Sequence, residues 1–178
     1  MAGERAGALP IIVAGGGIGG LAAALGLAQK GLDLLVLEKA PQLGEIGAGI
    51  QLGPNAFHAF DYLGVGEAAR AMAVYIDQLR LMDALTAEEI THLELGDAFR
   101  ARFGNPYAVV HRGDLHRVLL GACREHPRIA LRVSSEVTAY DQDGSSVAVR
   151  LASGETVGGA ALIGLGVIRR KSRRAGAR

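Results

Sequence analysis

The sequence predicts an α/β protein built on a parallel β-α-β sheet, with an inserted antiparallel β-sheet. Two observations carry the first half of that prediction. A short apolar run rich in β-branched residues (9–14) meets Gly15-Gly16-Gly17-Ile18-Gly19-Gly20, and an Ala/Leu-rich stretch (21–30) follows. A second apolar run (32–37) then begins after Gly31. The antiparallel part rests on a third observation: short strand-like stretches separated by turn residues through the rest of the chain.

Each element has its own reason. Residues 9–14 are apolar without alternation, as a parallel strand buried on both faces requires. Residues 21–30 are strong helix formers, and Gly31 ends them as a helix-terminating glycine does. Residues 32–37 form a second buried strand closing on Glu38. Residues 42–54 carry Gly44, Gly47, Gly49 and Gly53 and read as an extended segment that exposes its backbone. Pro54 suits the first turn of a helix reaching residue 63, and 66–72 reads as another short helix. Residues 76–82, 90–95 and 108–111 are strand-like and predict the inserted antiparallel sheet. Residues 114–125 place Leu115, Val118, Leu119 and Ala122 on one helical face. Strands follow at 129–133, 137–140, 147–151 and 160–163, with Asp143-Gly144 signalling a hairpin. No internal repeat is present.

Composition narrows the function classes. The 178 residues allow one domain with a core and are too few for two large ones. With 49% hydrophobic residues and 26 glycines, the chain is not of disordered type. The apolar stretch at 8–14 is too short to span a membrane and lacks a signal-peptide pattern, so no membrane association is expected. Cys123 stands alone, which excludes an internal disulfide and points to a reducing cytoplasm. It reads as a small buried hydrophobe on a helix. The net charge of +1 conceals a basic tail, with Arg169, Arg170, Lys171, Arg173, Arg174 and Arg178 against no acid. Without those six, 13 basic residues face 18 acids and the body sits near −5. An acidic body lacking structured basic or aromatic surfaces argues against a nucleic-acid partner. His58, His92, His111, His116 and His126 show no metal-ligand spacing, and no metal site is expected. His111 reads as a strand-end residue, His116 as a helix-surface residue and Asp114 as a helix N-cap or first-turn acid.

The chemistry begins at Gly15-x-Gly17-x-x-Gly20, after a strand and opening a helix. Gly15 permits the tight turn, Gly17 lets a pyrophosphate approach the backbone, and Gly20 lets the helix lie close to the sheet. The N–H groups of the first helical turn, Ile18 included, then face the phosphates at the positive end of the helix dipole. Glu38 follows Gly20 after seventeen residues and ends the second strand, where its carboxylate can accept ribose hydroxyls. That carboxylate repels a 2′-phosphate and so disfavours NADP at this site. The spacing leaves NAD and FAD both open.

The segment Leu43-Gly44-Glu45-Ile46-Gly47-Ala48-Gly49-Ile50-Gln51-Leu52-Gly53-Pro54-Asn55-Ala56 resembles the FAD-dependent aromatic-ring hydroxylases. These are single-component flavoprotein monooxygenases, and the likeness is to those acting on salicylate or 3-hydroxybenzoate. Val110-His111-Arg112-Gly113-Asp114-Leu115 resembles the same family's arginine-bearing motif. The resemblance covers residues 10 to about 164 and implies a Rossmann-like FAD-binding sheet. It implies Glu38 on the adenosine ribose with Lys39 beside it, and the Val137 backbone along the adenine. It also implies Ile50 as a cofactor contact and Arg112 toward the flavin's ribityl and pyrophosphate region. The implied reaction hydroxylates a phenolic aromatic acid with NAD(P)H as co-substrate and O₂, turning 3-hydroxybenzoate into gentisate in the branch that is most similar.

After Gly164 that family continues with an Asp-Gly pair and a Ser/Arg-containing stretch, whereas this chain reads Leu165-Gly166-Val167-Ile168-Arg169-Arg170-Lys171. The expected organisation is therefore the N-terminal part of an FAD-binding domain with the start of a substrate-domain insertion over 1–164, and a basic non-homologous tail over 165–178. The abrupt switch predicts a frameshifted or truncated gene product. No catalytic acid or base can then be assigned, and turnover by this chain alone is not expected. Two other readings compete: a non-catalytic FAD- or nucleotide-binding remnant, and a fragment of an NAD-dependent dehydrogenase. The second needs a regular β-α-β continuation after Glu38, which the glycine-rich 42–54 segment does not supply. Resequencing the gene is expected to reveal a longer reading frame in another phase downstream. Apolar sheet surface left uncovered predicts aggregation or a homodimer on expression; a monodisperse monomer by light scattering would contradict that.

Overall fold

The computed structural model describes residues 9–44 and 47–165, and the backbone of 169–170. Glu45 and Ile46 of the glycine-rich segment lie outside the described residues, as do 166–168 and 171–178 of the tail. The chain opens with β1 (Ile11–Ala14), α1 (Ile18–Ala28), β2 (Leu34–Leu37) and β3 (Gly49–Leu52). It continues with α2 (Pro54–Tyr62), α3 (Gly66–Ala71), β4 (Val74–Tyr75), β5 (Gln78–Met82) and β6 (Glu89–Glu94). Next come α4 (Asp97–Phe103), β7 (Ala108–His111), α5 (Arg112–Glu125) and β8 (Ile129–Arg132). The last elements are β9 (Val137–Gln142), β10 (Val147–Leu151), β11 (Thr156–Gly159), β12 (Ala161–Gly164) and β13 (Arg169–Arg170). These form two compact units, 1–44 with 119–178 and 45–118, the boundary falling within α5.

The first unit is three-layered. Its central sheet is parallel, in the order β12-β1-β2-β8. Adjacent residues on β1 serve opposite layers. Val13 faces a cluster with Val36, Leu34 and the α1 residues Ala24 and Ala28. Ile12 faces Leu37 and the β10 residues Val147, Val149 and Leu151. Both faces are covered, which is why β1 and β2 carry unbroken apolar runs. By contrast, β10 alternates, burying Val147, Val149 and Leu151 while Ala148 and Arg150 face out. Its sheet runs β11-β10-β9-β13.

The hairpin signalled by Asp143-Gly144 joins β9 to β10, with Gly144 at φ +91°. Asp143 Oδ1 accepts the N–H groups of Ser145 and Ser146, both at 2.9 Å. Those donors hold its carboxyl down at about 2.

The second unit holds two separate antiparallel sheets, β3-β7-β4 and β5-β6. The strands expected at 76–82, 90–95 and 108–111 all form, but they do not share one sheet. β7 pairs instead with β3, an extended strand inside the glycine-rich segment. Two α2 rings, Phe57 and Phe60, are buried edge to face, 6.3 Å apart. Arg70 of α3 donates to both Asp61 oxygens and, at 2.7 Å, to Oδ1 of the buried Asn105. One guanidinium thereby ties α2, α3 and the loop before β7 together.

Several boundaries differ from expectation. α1 begins at Ile18, straight after the glycine turn, and α5 at Arg112, directly after β7, so each starts earlier than expected. α4 was not anticipated; it buries no residue, so it has no apolar stripe to reveal it. His116 is buried, not a helix-surface residue. It lies four residues from Leu120 and three from Leu119, inside the buried face of α5. Among the described residues, no helix is long and apolar enough to cross a membrane.

Cys123 is fully buried on α5, its Sγ donating to the Leu21 carbonyl oxygen at 3.5 Å. Burial pushes the thiol up to about 12, so almost no thiolate exists at neutral pH. Thiol reagents are expected to label Cys123 only as fast as the chain unfolds in urea. Rapid labelling of the native protein would contradict that burial.

Candidate cofactor site

Within the first unit, an open cleft of about 290 Å³ lies at the C-terminal ends of β1, β2 and β12. Cofactors gather at such strand ends in open parallel sheets, where neighbouring strands depart in opposite directions. Here the chain leaves β1 for β2 on one side, while β12 closes the other.

One wall of the cleft is the glycine turn. Gly15 continues β1, donating its N–H to the Leu37 carbonyl at 2.8 Å, and adopts φ +115°. Leu21 donates the first intrahelical bond, to the Gly17 carbonyl at 3.0 Å. The N–H groups of Ile18, Gly19 and Gly20 therefore have no acceptor within α1, and no acid occupies its first turn. A β-carbon at Gly20 would collide with the Gly15 carbonyl oxygen. Only glycine lets α1 start this close above its strand.

The facing wall is organised by Glu38. Its Oε2 accepts the Gly16 N–H at 2.7 Å and its Oε1 accepts the Ala40 N–H at 2.9 Å. An ionised carboxylate offers about four lone-pair sites, so capacity remains for a ligand hydroxyl. The Glu38 backbone is also held: its N–H donates to Arg132 and its carbonyl accepts the Ser135 N–H at 2.8 Å. Ala40 accepts the Ser134 N–H at 2.9 Å. Ser134 has φ +50°, a left-handed conformation uncommon for a residue with a β-carbon. The turn it makes brings Ser135, Glu136 and Val137 to the cleft, with Ser135 buried.

Of the residues singled out in the sequence, Gly15, Gly17, Glu38, Lys39 and Val137 line this one cleft. Ile18 and Gly20 belong to the same turn and helix start. Ile50 and Arg112 lie in the second unit. There the β3-β7 ladder brings their segments together, Ile50 opposite Val110 and the Arg112 N–H on the Ala48 carbonyl at 3.0 Å. Ser135 and Leu165 were missed as cleft residues. Ser135 falls between two expected strands and belongs to no motif, and Leu165 falls where the resemblance ends.

The FAD binding domain family matches residues 8–161. The 3-hydroxybenzoate 6-hydroxylase of Polaromonas naphthalenivorans is 53% identical over 156 residues, 88% of this chain and 39% of that protein. The 3-hydroxybenzoate 6-hydroxylase 1 of Aquipseudomonas alcaligenes is 52% identical over 154 residues, 86% of this chain and 39% of that protein. Klebsiella pneumoniae HpxO, solved in complex with FAD and uric acid, matches with a TM-score of 0.74 at 29% identity, covering 86% of this chain and 38% of its own. The chain thus spans about 39% of the length of the curated relatives it matches. With most of its residues matched, the chain belongs to the FAD binding domain family.

Proposed function

We propose that this chain is the nucleotide-binding portion of an FAD-dependent monooxygenase that hydroxylates a phenolic aromatic acid, 3-hydroxybenzoate to gentisate, with NAD(P)H and O₂. The observation that carries this reading is the 53% identity to a 3-hydroxybenzoate 6-hydroxylase over 88% of the chain. Salicylate is the second substrate to test. A dehydrogenase fragment is not favoured, since the relatives are hydroxylases and the segment after Glu38 departs from a regular β-α-β repeat.

In this reading the backbone of Gly15, Gly17, Ile18 and Gly20 receives the pyrophosphate at the positive end of α1. Glu38 accepts ribose hydroxyls, Lys39 stands beside it, and the Val137 backbone lines the adenine. Ile50 and Arg112 of the second unit serve the flavin portion. Bound FAD supplies the redox chemistry with oxygen. The residues of this chain bind and orient it; no acid or base among them is assigned to the aromatic ring. The same reading assigns 1–164 to the FAD-binding domain with the start of its insertion, and 165–178 to a tail outside it. A reducing cytoplasm suits the buried free thiol of Cys123.

The test is gel filtration of the purified chain after incubation with FAD. Visible flavin absorption is expected to co-elute with the protein, and NADH oxidation with and without 3-hydroxybenzoate can then be compared. A colourless protein would overturn FAD binding by this chain. Gly20→Ala is expected to weaken FAD retention by about tenfold or more, equivalent to about 1.4 kcal/mol. Gly19→Ala, whose β-carbon would meet only Leu165 Cδ2 at an ordinary 3.7 Å, is expected to retain FAD. Equal retention by the two variants would contradict the role given to Gly20.

A further inference from the structure

The phosphate end of the cleft contains a side chain that offers phosphate nothing. Leu165 follows β12 and extends its ladder by one step, donating its N–H to the Ala14 carbonyl at 3.0 Å. This sets Leu165 beside the glycine turn. Its Cβ lies 3.8 Å from where a Gly15 β-carbon would stand, and its Cδ2 lies 3.7 Å from the equivalent point at Gly19. The isobutyl group therefore lies over the turn between Gly15 and Gly19, and it lines the same cleft as Glu38 and Val137. About half of its surface is exposed, so it is not part of the core.

A bound diphosphate needs hydrogen-bond donors or water at each oxygen, and an aliphatic group supplies neither while displacing both. The other wall of the cleft is lined by Glu38, Ser135 and the start of β9. We propose that Leu165 is a specificity-determining residue that caps the phosphate end of the cleft. Recognition by this chain is then weighted toward the nucleoside part of its ligand and away from the phosphates. This inference rests on the nucleotide-binding reading above.

The test is calorimetric titration of the full chain with ADP and, separately, with adenosine. Leu165→Ala is expected to tighten ADP by about tenfold, the scale of one regained charge-assisted hydrogen bond, and to leave adenosine within about twofold. Leu165→Asn, nearly the same size but carrying its own donor, is expected to shift in the same direction, and Leu165→Ile to match the unsubstituted chain. An unchanged ADP affinity in both the Ala and the Asn variants would overturn the inference, as would equal gains for ADP and adenosine. If neither ligand binds the unsubstituted chain or any variant, the nucleotide-binding reading itself falls, and the cap with it.

Discussion

Everything in the first unit depends on β1 burying both of its faces. Ile12 and Val13 are neighbours in sequence, point to opposite sides of one strand and are both fully buried. One side must be covered by α1 and the other by the β9-β10-β11 sheet, and neither layer suffices alone. A helix that covers the strand it follows has to reverse direction at once. The left-handed Gly15 and the bare Gly20 allow that reversal with the helix backbone against the turn. The open N-terminal end of α1 is thus a by-product of a packing requirement, and the cleft inherits its position from the core.

Much of this was legible in the sequence because each feature had a local cause. The two parallel strands announced themselves by unbroken apolar runs, the hairpin by Asp143-Gly144, and the glycine turn of the cleft by glycine spacing that ends on Glu38. What escaped depends on partners distant in sequence. That β7 would choose β3 over β5 or β6 is a decision about pairing, and strand composition does not encode a partner. α4 buries nothing, so no periodicity marks it. His116 was misread because a polar residue can sit inside a helix's buried stripe when its neighbours three and four positions on are apolar. Ser135 gained its place in the cleft from a turn at Ser134 whose handedness only the backbone reveals.

The second unit shows a different balance of forces. Its two sheets are small, and the β5-β6 pair leaves Leu81, Ile90 and Leu93 largely exposed. A two-stranded ribbon contributes little stability in water by itself. The order around α2 and α3 comes instead from buried rings and from Arg70, whose planar donors are shared between Asp61 and Asn105. Polar geometry there does what a broad apolar core does in the first unit.

In the proposed reading, the two backbone N–H hydrogen bonds to Glu38 join scaffold and ligand recognition in a single side chain. One carboxylate oxygen fastens the glycine turn while the residue also lines the cleft. Any hydroxyl arriving there shares an acceptor already committed to Gly16. In that reading, tightening the grip on a ligand and loosening the turn are coupled through one carboxylate. Two separate requirements, architectural and chemical, then fall on one codon.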